Sequence, residues 1–360
     1  MSAFVESVRA FRLGGALRQP FTIATGSHTK VENVLVRVAL SDGTLGWGEC
    51  APAPHITGET QASTLASVRR LAPLALGRLA AAGGGLAREL EEAAPRSPCA
   101  RAGLEMALLD AALRRVRAPL YRFLGGAGAL VRTDATIPLG PLERAPVEAR
   151  RWVRRGIRTL KVKIGRDAEE DVRRVLAIAS AAPRAALILD ANQGYREREA
   201  LRVWRDLARK GVRPGLFEQP LPKADLGGLA ALTRRGLPVC ADESVGTRDE
   251  ARRAVRARAC RVVNLKLMKS GFWQALEIAW IARRAGLGLM IGGMMESSLA
   301  MGCAAHVASA LAVRWVDLDT PLFFARDPVR GLRLKRDGTY DLAGVRAGIG
   351  AVPITRWAIA

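Results

Sequence analysis

Charged residues recur at near-regular intervals along the second half of this chain. Lys161 and Lys163 lie in Leu160-Lys161-Val162-Lys163-Ile164-Gly165, Asp190 in Leu189-Asp190-Ala191-Asn192, and Glu218 in Phe217-Glu218-Gln219-Pro220. Asp242 follows in Ala241-Asp242-Glu243-Ser244, Lys266 in Asn264-Leu265-Lys266-Leu267, and Asp317 and Asp319 in Val316-Asp317-Leu318-Asp319. From Lys163 the successive steps to Asp190, Glu218, Asp242 and Lys266 are 27, 28, 24 and 24 residues, each the length of one strand–helix unit. Buried lysines need counter-charges, and three neighbouring carboxylates repel one another. A divalent cation resolves the second conflict. Oxygen ligation by Asp190, Glu218 and Asp242 without imidazole or thiolate favours Mg²⁺, with Mn²⁺ the other candidate. The set suits proton abstraction beside a carboxylate, where a Lewis acid stabilises the enediolate as it forms. A lysine whose pKa is lowered by nearby positive charge takes the proton. A second lysine on the opposite face returns one, which inverts the carbon.

The elements that must carry these residues are legible as a repeat of structural type. Eight short apolar or β-branched runs occur at 133–138, 159–164, 186–192, 215–219, 238–243, 262–268, 288–293 and 315–319. Amphipathic stretches such as 168–181, 197–210 and 272–285 separate them, with apolar residues at three- and four-residue steps. Strand–helix alternation at this period predicts a parallel sheet with crossover helices, and eight strands predict closure into a (β/α) barrel. The charged strand ends then meet at the C-terminal mouth. Residues two apart share a strand face, so Lys161 and Lys163 point together, as do Asp317 and Asp319.

The first ~125 residues read as a separate α+β unit. A hairpin is predicted from 31–40 and 44–49 around Ser41-Asp42-Gly43, followed by helices over 62–76, 86–94 and 99–116. Short alternating runs at 332–335 and 339–342 predict that the tail returns to this unit. The expected organisation is a capping domain over 1–125, a barrel over 126–320 and a returning segment over 321–360.

The net charge of +22 comes from 56 basic against 34 acidic residues in 360, and only eight of the basic residues are lysines. The arginines spread over every helical segment, and three tyrosines leave little for base stacking, so no nucleic-acid partner is expected. The most apolar stretch, 297–313, contains His306 and reads as a buried helix, so no membrane partner is expected. No basic start followed by an apolar run marks a leader, and five scattered cysteines fit a reducing, cytoplasmic setting.

At the charged strand ends the sequence resembles the enolase superfamily, in its muconate-lactonizing subgroup, over nearly the whole chain. The resemblance implies a modified barrel, (β/α)7β, with an α+β capping domain completed by the C-terminal tail. It implies that Lys163 and Lys266 are the acid/base pair, that Asp190, Glu218 and Asp242 hold Mg²⁺, and that Lys161 meets the substrate carboxylate. Asp317-Leu318-Asp319-Thr320-Pro321 resembles the strand-eight motif of dipeptide epimerases, where paired aspartates hold the substrate's α-ammonium. The implied reaction is inversion of the α-carbon of a dipeptide's C-terminal residue, in a setting of cell-wall peptide turnover. The alternatives are an o-succinylbenzoate synthase or N-succinylamino acid racemase on the same scaffold. Thr136, Met294 and Met295 match substrate-lining positions. The lid segments match 21–30, with Gly26 and His28, and 53–58, with His55. Gly26 stands where some members carry an arginine for a glutamate carboxylate, a departure from the Ala-Glu pattern; with Met294 and Met295 it is compatible with an apolar second residue. A homo-oligomer is expected.

Overall fold

The computed structural model describes residues 2–24, 26–80, 83–354 and 358–359. The eight expected barrel strands are present: Ala135–Ile137, Thr159–Lys163, Ala186–Asp190, Leu216–Glu218, Val239–Ala241, Val262–Leu265, Gly288–Ile291 and Trp315–Val316. They form one parallel sheet in chain order. The sheet curls until its edges meet, where Asp134 N–H donates to Val316 O at 2.9 Å and Leu318 N–H to Thr133 Oγ1 at 2.7 Å.

Strand alternation builds the interior in two levels. Ile188, Leu216, Cys240, Val262, Met290 and Trp315 form a separate inner apolar cluster. Two residues further along the same strands, on the same face, come Asp190, Glu218, Asp242, Asn264, Gly292 and Asp317. The apolar plug thus lies below and the chemistry above. The opposite faces, such as Leu160, Val162 and Ile164, are fully buried against the helices.

The crossover helices follow from local signals. Asp167 caps Ala168–Ala181 by accepting from Glu169 N and Glu170 N. Thr247 and Glu250 form a reciprocal capping box on Arg248–Ala257. Glu197–Arg209 buries Ala200, Val203 and Leu207 at three- and four-residue steps. Its other face carries arginines in exposed pairs, such as Arg209 with Asp206 at 3.0 Å. The arginine excess on this helix is therefore solvated, and such pairs contribute about 0–1 kcal/mol each.

The capping unit holds strands Val5–Ile23, Gly26–Leu40 and Leu45–Cys50 in an antiparallel sheet, joined at its outer edge by Ala358–Ile359. Its helices include Gln61–Ala75, Gly84–Ala93 and Pro98–Arg115. Leu45–Cys50 lies almost in contact with Pro98–Arg115, since a Cβ on Gly48 would meet Gly103 O at 2.0 Å; only glycine permits this approach.

Several expectations are corrected. Most of the barrel strands end earlier than the apolar runs: the second, third and fourth close on Lys163, Asp190 and Glu218, which are still paired in the ladder, and Met268 lies in the short helix Leu267–Ser270. The strand Val5–Ile23 was not anticipated, because its many exposed positions break the period-two pattern. Within the lid segment, strands Val5–Ile23 and Gly26–Leu40 pair Phe21 with His28 and Ile23 with Gly26. In the tail, Thr339–Asp341 pairs with Leu130–Arg132 as a strand. The run expected at 332–335 is not a strand; Val329–Gly331, just before it, pairs with Ala351–Pro353.

Candidate active site

A cavity of about 410 Å³ lies between the barrel mouth and the capping unit. Lys161, Lys163 and Lys266 reach it from the barrel, as do Asp317, Asp319, Thr136, Met294 and Met295. Phe21, Ile23, Val31, His55 and Ile56 reach it from the capping side. Lys163 and Lys266 come from the second and sixth strands, four places apart in the eight-strand order, and so from opposite walls.

The ammonium groups are held by the carboxylates expected as metal ligands. Lys163 Nζ donates to Asp190 Oδ2 at 2.6 Å and to Asn192 Oδ1 at 3.0 Å. Lys161 Nζ lies 3.0 Å from Asp190, 2.8 Å from Glu218 and 2.6 Å from Asp317. Lys266 Nζ lies 2.8 Å from Asp242 Oδ2. Burial alone would discharge Asp190, but Lys161 and Lys163 outweigh it and hold its pKa down to about 2. Glu218 goes the other way: burial, then the Asp190 charge, pushes it up to about 8. Burial alone would lower Lys266, but Asp242 raises it above the ordinary lysine value. The nearest charge to the Lys266 ammonium is this carboxylate, at 2.8 Å.

The residues fit a hard divalent cation. Asp190, Glu218 and Asp242 are wholly buried on adjacent strands. They offer only oxygen, although Glu218 Oε2 and Asp242 Oδ2 each lie 2.8 Å from a lysine Nζ, of Lys161 and Lys266 respectively. Yet among the described residues the three carboxylates whose oxygens gather within 4.8 Å of one another are Asp134, Asp317 and Asp319. Asp319 Oδ2 accepts from Thr136 N at 2.5 Å, while Asp319 Oδ1 and both Asp134 oxygens have no hydrogen-bond partner. Burial and then Asp317 push Asp319 up to about 7. Lys161 reaches Asp317 as well as the expected metal ligands, so this aspartate is partly neutralised by a lysine.

Four buried residues at the site were not assigned from the sequence. Asn192 holds Lys163, and Asn264 Nδ2 donates to Glu218 Oε1 at 2.8 Å. Lys269 Nζ donates to Asp242 Oδ1 at 2.6 Å, a second counter-charge for that carboxylate. Asp134 lies two residues before Thr136 on the same strand face. Position on the repeat could have singled out Asn192 and Asn264, which stand at strand ends. Lys269 and Asp134 carry no such signal.

Of the lid residues, Gly26 leaves open space, since a Cβ there would meet nothing within 4 Å. His55 lies in the short helix Pro54–Thr57 and lines the cavity. The His28 side chain lies outside the described residues. Lys30 is paired with Glu32 at 2.9 Å and is more than half exposed.

Two family models match the chain. Residues 6–125 match the mandelate racemase / muconate lactonizing enzyme N-terminal domain, and residues 144–354 match the enolase C-terminal domain-like family. The chain belongs to the enolase superfamily. Within it, the chain is 42% identical to a hydrophobic dipeptide epimerase of Citrifermentans bemidjiense, covering 97% of this chain and 98% of that protein. It is also 42% identical to an aromatic dipeptide epimerase of Herpetosiphon aurantiacus, covering 96% and 98% respectively. Among solved structures, a dipeptide epimerase from Enterococcus faecalis complexed with Mg and the dipeptide L-Leu-L-Tyr superposes with a TM-score of 0.93 at 31% identity, covering 98% of this chain and 99% of that one. The enolase-superfamily architecture expected from the charged strand ends is therefore the observed one.

Proposed function

We propose that this protein is a magnesium-dependent dipeptide epimerase that inverts the α-carbon of the C-terminal residue and prefers an apolar side chain there. One observation carries the reading: two lysines from opposite barrel walls and the aspartates Asp317 and Asp319 share a single cavity. Asp190, Glu218 and Asp242 would hold the magnesium ion. Bound there, it would supply positive charge to the substrate carboxylate as the α-carbon loses its proton.

The protein's own groups do the rest. Lys161, already bridging carboxylates, meets the substrate carboxylate beside them. Lys163 and Lys266 flank the α-carbon. One acts as the neutral amine and takes the α-proton; the other, as its ammonium, returns a proton to the opposite face, so the net change is inversion alone. For the next turnover in the same direction the two must exchange that proton with solvent. Asp317 and Asp319, with Asp134 beneath, concentrate negative charge where the dipeptide's α-ammonium would lie. An N-succinylated or succinylbenzoate substrate presents no cation to that cluster, so those alternatives fit less well.

Apolar preference rests on the cavity wall. Phe21, Ile23, Val31, Ile56, Met294 and Met295 line it, and at position 26 there is no arginine to meet an acidic side chain. The five cysteines are free and buried, which suits a reducing compartment, and cytoplasmic residence belongs to the same reading. No helix among the described residues is long and apolar enough to cross a membrane.

Incubation with Mg²⁺ and a set of dipeptides in deuterated water tests this. Mass gain of one unit in the C-terminal residue, largest for apolar side chains, is the expected result. Absence of exchange from every dipeptide would overturn it.

A further inference from the structure

Met294 and Met295 face the cavity from the turn that follows the seventh barrel strand, and that turn is held from the capping unit. Glu49, at the end of Leu45–Cys50, has no exposed surface and does not border the cavity. Its carboxylate accepts from Ser297 N at 3.0 Å and from Ser297 Oγ at 2.5 Å. It also accepts from Ala300 N at 3.3 Å. Both backbone donors belong to the N-terminal end of Ser298–Ala310, the helix that Met294–Ser297 leads into. Asn33 completes the bridge. Its Nδ2 donates to Glu49 Oε1 at 2.7 Å and to Met295 O at 2.9 Å. Asn33 is fixed in turn, because Gln61 Nε2 donates to its carbonyl at 2.7 Å.

The far side of the same turn is tied to the aspartate cluster. Thr320 Oγ1 donates to Glu296 O at 2.8 Å and accepts from Glu296 N at 3.2 Å. Glu296 Oε1 closes the turn on itself by accepting from Met294 N at 2.7 Å. The methionine wall is therefore clamped between Thr320, next to Asp319, and the Asn33–Glu49 pair of the other unit. Glu49 has no lysine or arginine among its hydrogen-bonded partners, so charge neutralisation is not its task. A buried carboxylate costs several kcal/mol unless its acceptors are filled. Here they are filled by the donors that fix this turn.

We infer that Glu49, acting through Asn33 and Ser297, is a positioning residue for substrate selection: it sets where the Met294–Met295 wall stands and so which side chain the cavity admits. The inference rests on the dipeptide reading above. It assigns selectivity to a group that touches neither substrate nor reacting atoms. Hydrophobic pockets discriminate between side chains by roughly 10- to 200-fold, and a wall free to shift forfeits part of that ratio.

The test compares kcat and KM for L-Ala-L-Phe and L-Ala-L-Ala in the wild type, in Glu49→Gln and in the milder Ser297→Ala, which removes the hydroxyl donor to Glu49 and the acceptor that caps Leu299 N but leaves both backbone donors. The expected result is a roughly tenfold fall in the ratio of the two kcat/KM values for Glu49→Gln. It should arise from a raised KM for the larger dipeptide, with kcat for the smaller one changed less than about twofold. Ser297→Ala should move the ratio in the same direction by less. A lowered melting temperature with an unchanged ratio, or an equal loss on both dipeptides, would make Glu49 merely structural and overturn the inference. If Glu49→Gln does not fold, Ser297→Ala decides alone by the same ratio. Wild-type protein that exchanges no dipeptide would instead remove the epimerase reading, and this inference with it.

Discussion

Lys163 and Lys266 enter one cavity from opposite barrel walls, and each is anchored by a different wholly buried aspartate: Asp190 at 2.6 Å and Asp242 at 2.8 Å. Two amines so placed are equivalent in kind but not in company, since Asp242 is also held by Lys269 and Asp190 also by Lys161.

Removing either amine should separate the two halves of the reaction. Lys163→Ala and Lys266→Ala should each lower epimerisation by about 10²–10⁴-fold, the usual worth of a positioned acid or base. Each variant should still wash deuterium into at most one epimer, the one whose α-hydrogen faces the surviving lysine. Proton NMR in deuterated buffer reads this directly. Full epimerisation by either variant would exclude the two-base assignment.

The aspartate cluster and the magnesium ligands should be separable. Asp317→Asn with Asp319→Asn should abolish turnover of dipeptides with a free amine while leaving Mg²⁺ affinity within about threefold, measured by calorimetric titration. Glu218→Gln should instead weaken the metal. If the Asp317/Asp319 variant loses the metal, the cation belongs to the cluster of Asp134, Asp317 and Asp319.

Selectivity at the lid should respond to position 26. Gly26 has open space around its missing Cβ, with no left-handed backbone angle, so Gly26→Arg should fold normally. It should raise kcat/KM for L-Ala-L-Glu by roughly tenfold, a new charge-assisted contact of about 1.4 kcal/mol. Unchanged kinetics with the acidic dipeptide would show that the hairpin tip does not reach the substrate.

His306 gives the fold a pH dependence with a definite sign. Its Nδ1 accepts from Tyr121 N at 3.0 Å, so the ring proton sits on Nε2, which faces Ile349 O at 3.0 Å. Burial lowers its pKa to about 4 from the ordinary 6.5. Between those values the unfolded chain binds more protons than the folded one, so stability rises with pH there. The contribution is fully present above about pH 6.5 and is lost as pH falls towards 4, by about 3 kcal/mol in all. His306→Gln, which can keep both hydrogen bonds, should flatten that part of the urea-unfolding profile relative to wild type. Identical slopes for the two proteins would exclude His306 as the source.

Much of this was open to a reader of the sequence. Strand alternation is a local property of the backbone, so Lys161 with Lys163, and Asp317 with Asp319, could be assigned to shared faces, and the 24–28-residue spacing could place them at one mouth. What lay beyond local pattern was partnership. That Lys161 reaches Asp317 across 156 residues, that Lys269 seconds Lys266 on Asp242, and that Glu49 grips a turn 248 residues away are outcomes of curling a sheet and laying a second unit across it. Periodicity decides which side a residue faces. Which of several buried charges it then meets is decided by distances of a few ångströms between strands, because at low dielectric the nearest counter-charge outweighs the rest.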